Sequence, residues 1–190
     1  ARDAAEQVEV SYDPLPSVVD QVKALAPSAP KLWDEQTDNL CVDDQKGDLG
    51  AVAEAFATAS HMVRMDLVNN RVSGVPMEPR AAVAEYDDAT ERYTLWAGGQ
   101  GVNRFQREIA TAFKVPEDTV RVIARDVGGG YGTRNSCYPE FTLVTWAAKR
   151  IGRPVKWTGT RSEMALGDYA GRDLFTEAEL ALDSDGMFLA

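Results

Sequence analysis

The alternation of apolar and polar residues along the chain predicts a series of β-strands. A period of two residues places apolar side chains on one face of a strand, and short β-branched runs are typical of buried strands. This reasoning predicts strands near residues 8–12, 60–72, 81–86, 92–97, 120–124, 154–158 and 176–182, with a return strand from residue 187. Because a turn at residues 87–90 separates two of them, we expect a β-hairpin there.

Apolar residues three and four positions apart predict three helices. One spans about residues 49–57. A second is predicted to be capped by Asn103, to carry Phe105, Ile109 and Phe113 on its buried face, and to end before residue 116. The third runs over 139–150, with proline in its first turn and glycine beyond its last. Together these elements predict an α+β fold, a mixed β-sheet with packed helices.

Composition excludes several classes of function. The 190 residues are 44% apolar and 26% charged, with a net charge of −10, so neither nucleic acid nor an anionic membrane surface is the expected partner. Cys41, Cys137 and the single His61 form no zinc or iron–sulfur motif. No run of eighteen apolar residues is present, so no membrane span is expected. We expect a reduced, cytoplasmic setting, or a periplasmic one after export with a partner subunit.

The chain is organised around a glycine loop, Gly128–Gly132, between the strand at 120–124 and the helix from 139. Glycines let backbone N–H groups approach a ligand closely, and such groups favour an anionic or oxo ligand. The loop matches neither the dinucleotide fingerprint nor a phosphate-binding Walker loop, because Thr133 stands at the third glycine position and no GKS or GKT follows. The loop alone is as often structural as functional.

Two further positions are candidates from the residues alone. Gln100 is flanked by glycines at a strand-to-helix corner, where an amide can face an open crevice. Glu78 and Arg80 are bracketed by prolines just before a strand. A substrate site and a structural ion pair are both consistent with them, and the ion pair is the commoner outcome.

Several ordered motifs carry a resemblance to a known family. VRVIARDVGGGYGTRNSCYPE (120–140), AAKRIGRPVKWTGTRSE (147–163) and GRDLFTEAELALDSDG (171–186) resemble the molybdenum-binding subunit of the molybdenum hydroxylases, the family of xanthine dehydrogenase, aldehyde oxidase and aerobic carbon monoxide dehydrogenase. MEPRAAV (77–83) followed by YTLWAGGQ (93–100) is similar to the preceding strands of that family. The resemblance covers roughly residues 50–190.

The resemblance implies an oxidoreductase that carries a molybdenum–molybdopterin cofactor. Such an enzyme hydroxylates an aldehyde, an N-heterocycle or a similar small substrate, or oxidises CO, with oxygen taken from water. Electrons leave through partner subunits, an iron–sulfur subunit and a flavin or haem subunit. The implied cofactor-binding residues are those that match the family's glutamine and its GGGFG loop: Gln100, Gly129, Gly130, Tyr131 and Gly132. No residue of this chain is implied as a direct metal ligand or as the catalytic base.

Two positions after the loop depart from the family pattern GGGFGGKE. Arg134 replaces the usual Lys, and Asn135 replaces the Glu that contacts substrate in the xanthine and aldehyde enzymes. Both are candidates for the substrate pocket. The loss of the carboxylate makes xanthine a doubtful substrate, and Tyr131 in place of Phe adds a hydroxyl.

The resemblance also implies a domain organisation. Residues 1–19 are expected to be the tail of a preceding α/β hammerhead-like domain, 20–50 a connecting segment, and 51–190 the first part of the molybdopterin-binding domain. The chain is thus expected to be an internal fragment, inactive alone. Two alternatives stay open: a nucleotide-binding enzyme domain that uses the Gly128–Gly132 loop for phosphate, and a non-catalytic interaction module that docks a partner through its acidic face.

Overall fold

The computed structural model describes residues 2–190. Its elements, in chain order, are α1 (Arg2–Glu6), α2 (Gln21–Ala24), α3 (Leu49–Thr58), β1 (His61–Asn69), β2 (Val72–Ser73), β3 (Ala81–Asp87), β4 (Arg92–Ala97), α4 (Val102–Phe113), β5 (Val120–Ile123), α5 (Pro139–Ile151), β6 (Val155–Thr158), α6 (Arg161–Gly167), β7 (Ala170–Gly171) and β8 (Leu174–Leu182). No helix in this described part is long and apolar enough to cross a bilayer.

The chain divides into two compact units. The first, called here the ribbon unit, runs up to Asn70 and resumes at Asp173–Ala190; the second, the sheet unit, is Arg71–Arg172. This division rests on contacts within each unit. The domain boundaries expected at residues 19 and 50 therefore stay predictions.

The sheet unit is built on a four-stranded mixed sheet in the order β5-β4-β3-β6. β3 pairs antiparallel with β4 and with β6, and β4 pairs parallel with β5. The parallel pair needs a crossover, which α4 supplies between β4 and β5. α4 and α5 pack against the sheet, so the predicted α+β fold, a mixed sheet with packed helices, is confirmed.

The core of the sheet unit lies between the sheet and these two helices. Alternate residues of β3 and β4 face it, as the period of two requires. The buried apolar side chains are Ala82, Ala84, Tyr93, Leu95, Ala97, Phe105, Ile109, Ala110, Val120, Tyr138, Phe141, Val144 and Ala148. The rings of Phe105 and Phe141 lie 5.7 Å apart, which ties α4 to α5 directly below the end of β4.

Helix boundaries follow local sequence signals, with one correction. α4 begins after Gly101 and has no side-chain cap, so Asn103 lies inside the helix and the predicted cap is wrong. α4 ends at Phe113, and the next residue, Lys114, is its left-handed C-cap, two residues before Pro116. α5 begins at Pro139 and ends at Ile151, and its C-cap Gly152 has a left-handed φ of 62°, which favours glycine. Thr160 and Glu163 form the capping box of α6.

The ribbon unit contains a two-stranded antiparallel ribbon. β1 and β8 pair over their full length, from His61 opposite Leu182 to Asn69 opposite Leu174. Every residue of β1 is exposed. The predicted return strand reduces to one bridge between Leu182 and Phe188.

The predicted strand at 8–12 does not form. Residues 7–20 contain no regular element, and Val8, Val10 and Tyr12 are exposed. The reason is that a strand is stable only when a neighbour pairs with its backbone, and none of the described residues pairs with this segment.

Candidate functional site

Gln100 lies at the corner between β4 and α4, as its sequence position predicts. Its backbone N–H donates to the carbonyl oxygen of Arg134 at 2.9 Å. Its side-chain Oε1 accepts a hydrogen bond from the N–H of Gly132, also at 2.9 Å. Gln100 is therefore bound to the chain after the glycine loop by its backbone and to the loop by its side chain.

The second bond fixes which way the Gln100 amide faces. A backbone N–H can only donate, so the atom that meets Gly132 must be the amide oxygen. The Nε2 group, with its two N–H donors, has no acceptor within residues 2–190. The corner thus offers an exposed, oriented hydrogen-bond donor.

The glycine loop adds a row of backbone donors. The N–H of Gly128 is taken by Glu78 and that of Gly132 by Gln100. No acceptor in the described part of the chain meets the N–H groups of residues 129–131. Gly129, Tyr131 and Gly132 have positive φ angles of 113°, 52° and 87°. Successive N–H groups in such left-handed turns form a concave site for an anion or an electron-rich oxygen.

Close packing explains why glycine is needed at two loop positions. A Cβ on Gly130 would lie 2.5 Å from Cδ of Gln100, and a Cβ on Gly128 would lie 2.4 Å from Cβ of Glu78. Neither contact is tolerable without movement of the neighbour. The loop and the Gln100 amide are therefore built as one surface.

Glu78 holds the start of this loop. Its Oε2 accepts from the N–H of Gly128 at 2.7 Å, and its own N–H donates to the carbonyl oxygen of Gly128 at 3.1 Å. The predicted Glu78–Arg80 ion pair does not form. Arg80 instead pairs with Glu140 (3.1 Å) and Asp168 (3.3 Å), because its side chain is buried beside these two carboxylates.

The two candidates for the substrate pocket have different environments. The side chain of Arg134 is only 3% exposed, and its Nη2 donates to the carbonyl oxygen of Glu78 at 2.8 Å. Burial lowers the pKa of Arg134, against the opposing effect of Asp168. Asn135 is exposed next to Gly101. Of the two, only Asn135 is accessible to a small molecule.

Tyr131 is the one residue of the Gly128–Gly132 loop that has a side chain. It is 73% exposed, although its backbone adopts a left-handed conformation that is uncommon for a residue with a side chain. Such strain is characteristic of functional loops. The ring is thus held outward beside the free N–H groups.

The donors of this surface are hydrogen-bond groups and not metal ligands. Within the described residues, no cluster of three or more His, Cys, Asp or Glu side chains is placed to hold a metal ion. The amide of Gln100 and the free loop N–H groups can hold the acceptor oxygens of a ligand. An electron-rich oxo or anionic group fits this donor set.

Sequence reasoning missed the residues that support the loop from below. Glu78 is 50 positions from Gly128, and Arg80 is paired with Asp168 across 88 positions, the difference between their numbers. No local pattern links residues so far apart. The prolines around Glu78 and Arg80 were the one signal that pointed to this segment.

Known proteins and a family model match this chain over most or all of its length. Residues 32–190 match the family model of the molybdopterin cofactor-binding domain. The chain is 36% identical to the gamma subunit of the 6-hydroxypseudooxynicotine dehydrogenase complex of Paenarthrobacter nicotinovorans, over 100% of this chain and 23% of that protein. It is 31% identical to the carbon monoxide dehydrogenase large chain of Hydrogenophaga pseudoflava, over 100% of this chain and 25% of that protein.

Solved structures agree with this placement. Quinoline 2-oxidoreductase from Pseudomonas putida 86 superimposes with a TM-score of 0.86 at 33% identity, covering 99% of this chain and 24% of that one. The Cu,Mo-CO dehydrogenase superimposes with a TM-score of 0.87 at 31% identity, covering 98% of this chain and 25% of that one. The chain thus spans about a quarter of the length of the proteins that it matches.

Proposed function

This chain belongs to the family of molybdopterin cofactor-binding domains found in molybdenum-dependent oxidoreductases, and from that premise we propose that Gln100 and the glycine loop form one wall of a molybdenum site. The residues that would hold the cofactor are Gln100, Gly129, Gly130, Tyr131 and Gly132, the last as the anchor of the Gln100 amide. The site belongs to a longer subunit, of which this chain is about a quarter by comparison with its relatives.

One observation carries the proposal. The oriented Nε2 group of Gln100 and the free N–H groups of residues 129–131 lie on one surface, because Gln100 and Gly132 are hydrogen bonded at 2.9 Å. All of these groups are donors, and the oxo oxygens and the phosphate of a molybdopterin cofactor are acceptors. Donors held rigid before the ligand arrives cost no reorganisation when it binds.

The chemistry is that of an oxidative hydroxylation. When bound, the molybdenum cofactor supplies two-electron oxidation of a substrate carbon with oxygen taken from water. The part of this chain is to orient the cofactor by hydrogen bonds from Gln100 and the glycine loop to its oxygens. Asn135, exposed beside Gly101, is placed to contact a substrate.

For the substrate we propose a neutral small molecule, and an aromatic N-heterocycle in particular. The amide of Asn135 can both donate to a ring nitrogen and accept from a ring N–H, whereas it offers no charge. Relatives named for heterocyclic or heterocycle-bearing substrates support this choice: a 6-hydroxypseudooxynicotine dehydrogenase, a nicotine 6-hydroxylase and a quinoline 2-oxidoreductase. Aldehydes and CO are the other candidates for a substrate screen.

For the partners we propose an iron–sulfur subunit and a flavin or haem subunit that carry electrons away. The similarity to a protein named as the gamma subunit of a dehydrogenase complex supports a multi-subunit enzyme. Within this chain no cysteine pattern suits an iron–sulfur cluster, so such clusters would belong to other polypeptides or domains.

A nucleotide-binding role for the glycine loop is disfavoured by its electrostatics. The carboxylate of Glu78 lies 2.7 Å from the first N–H of the loop, where it would repel a phosphate. The nearest arginine in sequence, Arg134, is buried and bound to Glu78 and Asp168. The loop also does not open directly onto α5, because residues 133–138 intervene.

The test uses two substitutions of Gln100 in the complete subunit. Gln100→Glu keeps an oxygen for Gly132 but loses the outward donor and adds a negative charge, whereas Gln100→Ala loses both the acceptor for Gly132 and the outward donor. Hydrogen bonds to charged groups are worth about 1.5–3 kcal/mol, so we expect Gln100→Glu to lower turnover about 10- to 100-fold. We expect the molybdenum content to fall in both variants, and further in Gln100→Ala.

The control is Gln36→Glu, an exposed position in the ribbon unit with the same change of charge. It should leave both molybdenum content and turnover at the wild-type level. If Gln100→Ala also leaves both unchanged, the cofactor-wall proposal is wrong and the interaction-module alternative takes its place.

A further inference from the structure

Three charged side chains are buried together beneath the glycine loop. Arg80, Arg134 and Asp168 have side chains that are 3%, 3% and 1% exposed. The carboxylate of Asp168 lies between the two guanidinium groups, with its Oδ1 3.3 Å from Arg80 Nε and its Oδ2 3.9 Å from Arg134 Nη2. Glu140, partly exposed, is the second carboxylate on Arg80. We call Arg80, Arg134, Glu140 and Asp168 the ionic cluster.

The ionic cluster connects four separate segments of the sheet unit. Arg80 directly precedes β3, Glu140 lies in the first turn of α5, and Asp168 caps the end of α6. Arg134 follows the glycine loop. Asp168 thus links the end of α6 to the residue that follows Thr133 after the glycine loop, Arg134.

Arg134 transmits the position of the ionic cluster to the proposed cofactor surface. Its Nη2 donates to the carbonyl oxygen of Glu78, whose carboxylate holds the first N–H of the loop. Its own carbonyl oxygen accepts from the N–H of Gln100 at 2.9 Å. Both ends of the donor surface are therefore attached to Arg134, one through its side chain and one through its backbone.

Tyr138 connects the ionic cluster to the residue before Arg134. Arg80 lies over this ring, with its central carbon 3.8 Å from the ring centroid. The hydroxyl of Tyr138 donates to the carbonyl oxygen of Thr133 at 2.7 Å and accepts from the N–H of Tyr169. The residue before Arg134 is thus held by the same group of side chains.

Stability alone does not account for the ionic cluster. Burying charges has a desolvation cost that often exceeds their attraction, and well-packed apolar residues are frequently at least as stable. In the described part of the chain four buried atoms of the cluster lack a hydrogen-bond partner: Arg80 Nε, Arg134 Nε, Glu140 Oε2 and Asp168 Oδ1. A buried group of four charged side chains with unsatisfied atoms stabilises a core poorly. Its ion pairs can nevertheless hold Arg134 at a defined position.

We propose that Asp168 is a positioning residue, which holds Arg134 in place and thereby fixes the geometry of Gln100 and the Gly128–Gly132 loop. The role of Asp168 in cofactor binding rests on the proposed function. Its effect on the positions of Arg134, Gln100 and the loop does not. Within residues 2–190 no hydrogen bond or ion pair joins Asp168 to Gln100 or the loop, so it acts on them through Arg134 and, by way of Arg80 and Tyr138, through the carbonyl of Thr133.

The experiment is amide hydrogen exchange of the complete subunit carrying Asp168→Asn, a change that removes the charge and keeps the shape. We expect peptides covering residues 128–134 to exchange at least 10-fold faster than in the wild type. Peptides from α5 and from β3 and β4 should exchange at wild-type rates. Asp66→Asn is the matched control, since Asp66 has an exposed ion pair in the ribbon unit, and it should change neither region.

A double variant separates positioning from stability. Asp168→Asn leaves two buried arginines with one carboxylate and can lower stability, but Arg134→Met with Asp168→Asn leaves Arg80 balanced by Glu140. We expect this double variant to recover the wild-type melting temperature and to keep the fast exchange of the loop. Asp168→Glu, which retains the charge, should restore part of the loop protection.

Two results would overturn the proposal. One is wild-type loop exchange in the double variant. The other is a rise in exchange that is uniform over the loop and α5, which would make Asp168 a structural residue only. The hydrogen bonds of Gly128 to Glu78 and of Gly132 to Gln100 lie within the chain, and the variants are compared with the wild type at equal molybdenum content. An absence of molybdenum from the wild type would therefore refute the proposed function without deciding this inference.

Discussion

The same alternation of apolar and polar residues gives exposed strands in the ribbon unit and partly buried strands in the sheet unit. β4 and β1 both alternate apolar and polar residues. Tyr93, Leu95 and Ala97 of β4 are buried under α4 and α5, whereas Met65 and Leu67 of β1 are exposed, and so is Phe175 on β8. Alternation therefore predicted strands in both units, but burial depended on whether another layer covers the strand within its unit.

The difference decides where a rigid site can be built. The donor surface of Gln100 and the glycine loop lies in the sheet unit, above the ring of Phe105, which would be 2.4 Å from a Cβ on Gly99. A packed core holds such a corner in one conformation. The ribbon unit exposes large apolar side chains on both β1 and β8, which is typical of a packing or interaction surface. We expect the ribbon to be covered in the complete subunit.

The largest contrast is expected between two phenylalanines. Phe105 is fully buried and Phe175 is 44% exposed. In the 190-residue chain, Phe105→Ala should lower the free energy of unfolding of the sheet unit by about 3–5 kcal/mol, because it leaves a cavity. Phe175→Ala should cost less than about 1 kcal/mol. Urea unfolding of both variants measures this, and equal losses would contradict the difference in packing.

The same two substitutions, made in the complete subunit, test whether the ribbon is covered there. If the ribbon is covered there, the cost of Phe175→Ala should rise toward that of Phe105→Ala. A cost that stays below about 1 kcal/mol in both contexts would show that the ribbon remains exposed.

The two cysteines provide a second contrast, in reactivity. Burial raises the pKa of the Cys137 thiol to about 11, while Cys41 is exposed. At pH 8 only about one Cys137 thiol in a thousand is ionised, and the thiolate is the reactive form. An alkylating reagent followed by mass spectrometry should modify Cys41 first and leave Cys137 intact until unfolding. Equal rates would mean that α5 does not cover Cys137.

The raised pKa of Cys137 also sets a direction for stability. In the folded chain the pKa of the Cys137 thiol is about 11, whereas in the unfolded chain the thiol loses its proton near its ordinary pKa of 9.0. The unfolded state is therefore favoured as the pH rises through this window. Cys137→Ala should flatten the loss of stability between pH 9 and pH 11.

The smallest contrast concerns helix caps. Thr160 caps α6, next to the ionic cluster, and Asp20 caps the short α2 in the ribbon unit. Thr160→Ala should lower the stability of the sheet unit by about 1 kcal/mol, the usual value of a lost cap. Asp20→Ala should leave the unfolding of the sheet unit unchanged, since α2 belongs to the ribbon unit. A shift in that transition for Asp20→Ala would mean that the two units unfold together.

Local signals explain how much of the fold could be predicted. The hairpin of β3 and β4 and the helix from Pro139 depend on residues close in sequence, and both are confirmed. The strand expected at Val8 is wrong because alternation says nothing about a pairing partner. Gln100 and the loop were predicted from motifs, and their roles stay proposals.

Long-range contacts account for what could not be predicted. The clamp of Glu78 on Gly128 and the position of Asp168 between Arg80 and Arg134 join segments that are far apart in sequence. No periodicity or turn rule reports on such pairs. Arg80 was predicted to pair with its near neighbour Glu78, which illustrates how the fold overrides proximity in sequence.

The central claim is that the sheet unit contributes a wall of donors to a molybdenum site. Elemental analysis of the complete wild-type subunit, purified from cells that make the molybdenum cofactor, tests it most directly. The account predicts about one molybdenum per chain, lost in part when Gln100 is replaced by Glu. A wild-type subunit that contains no molybdenum would contradict the claim and leave the chain with the fold of the family but not its cofactor.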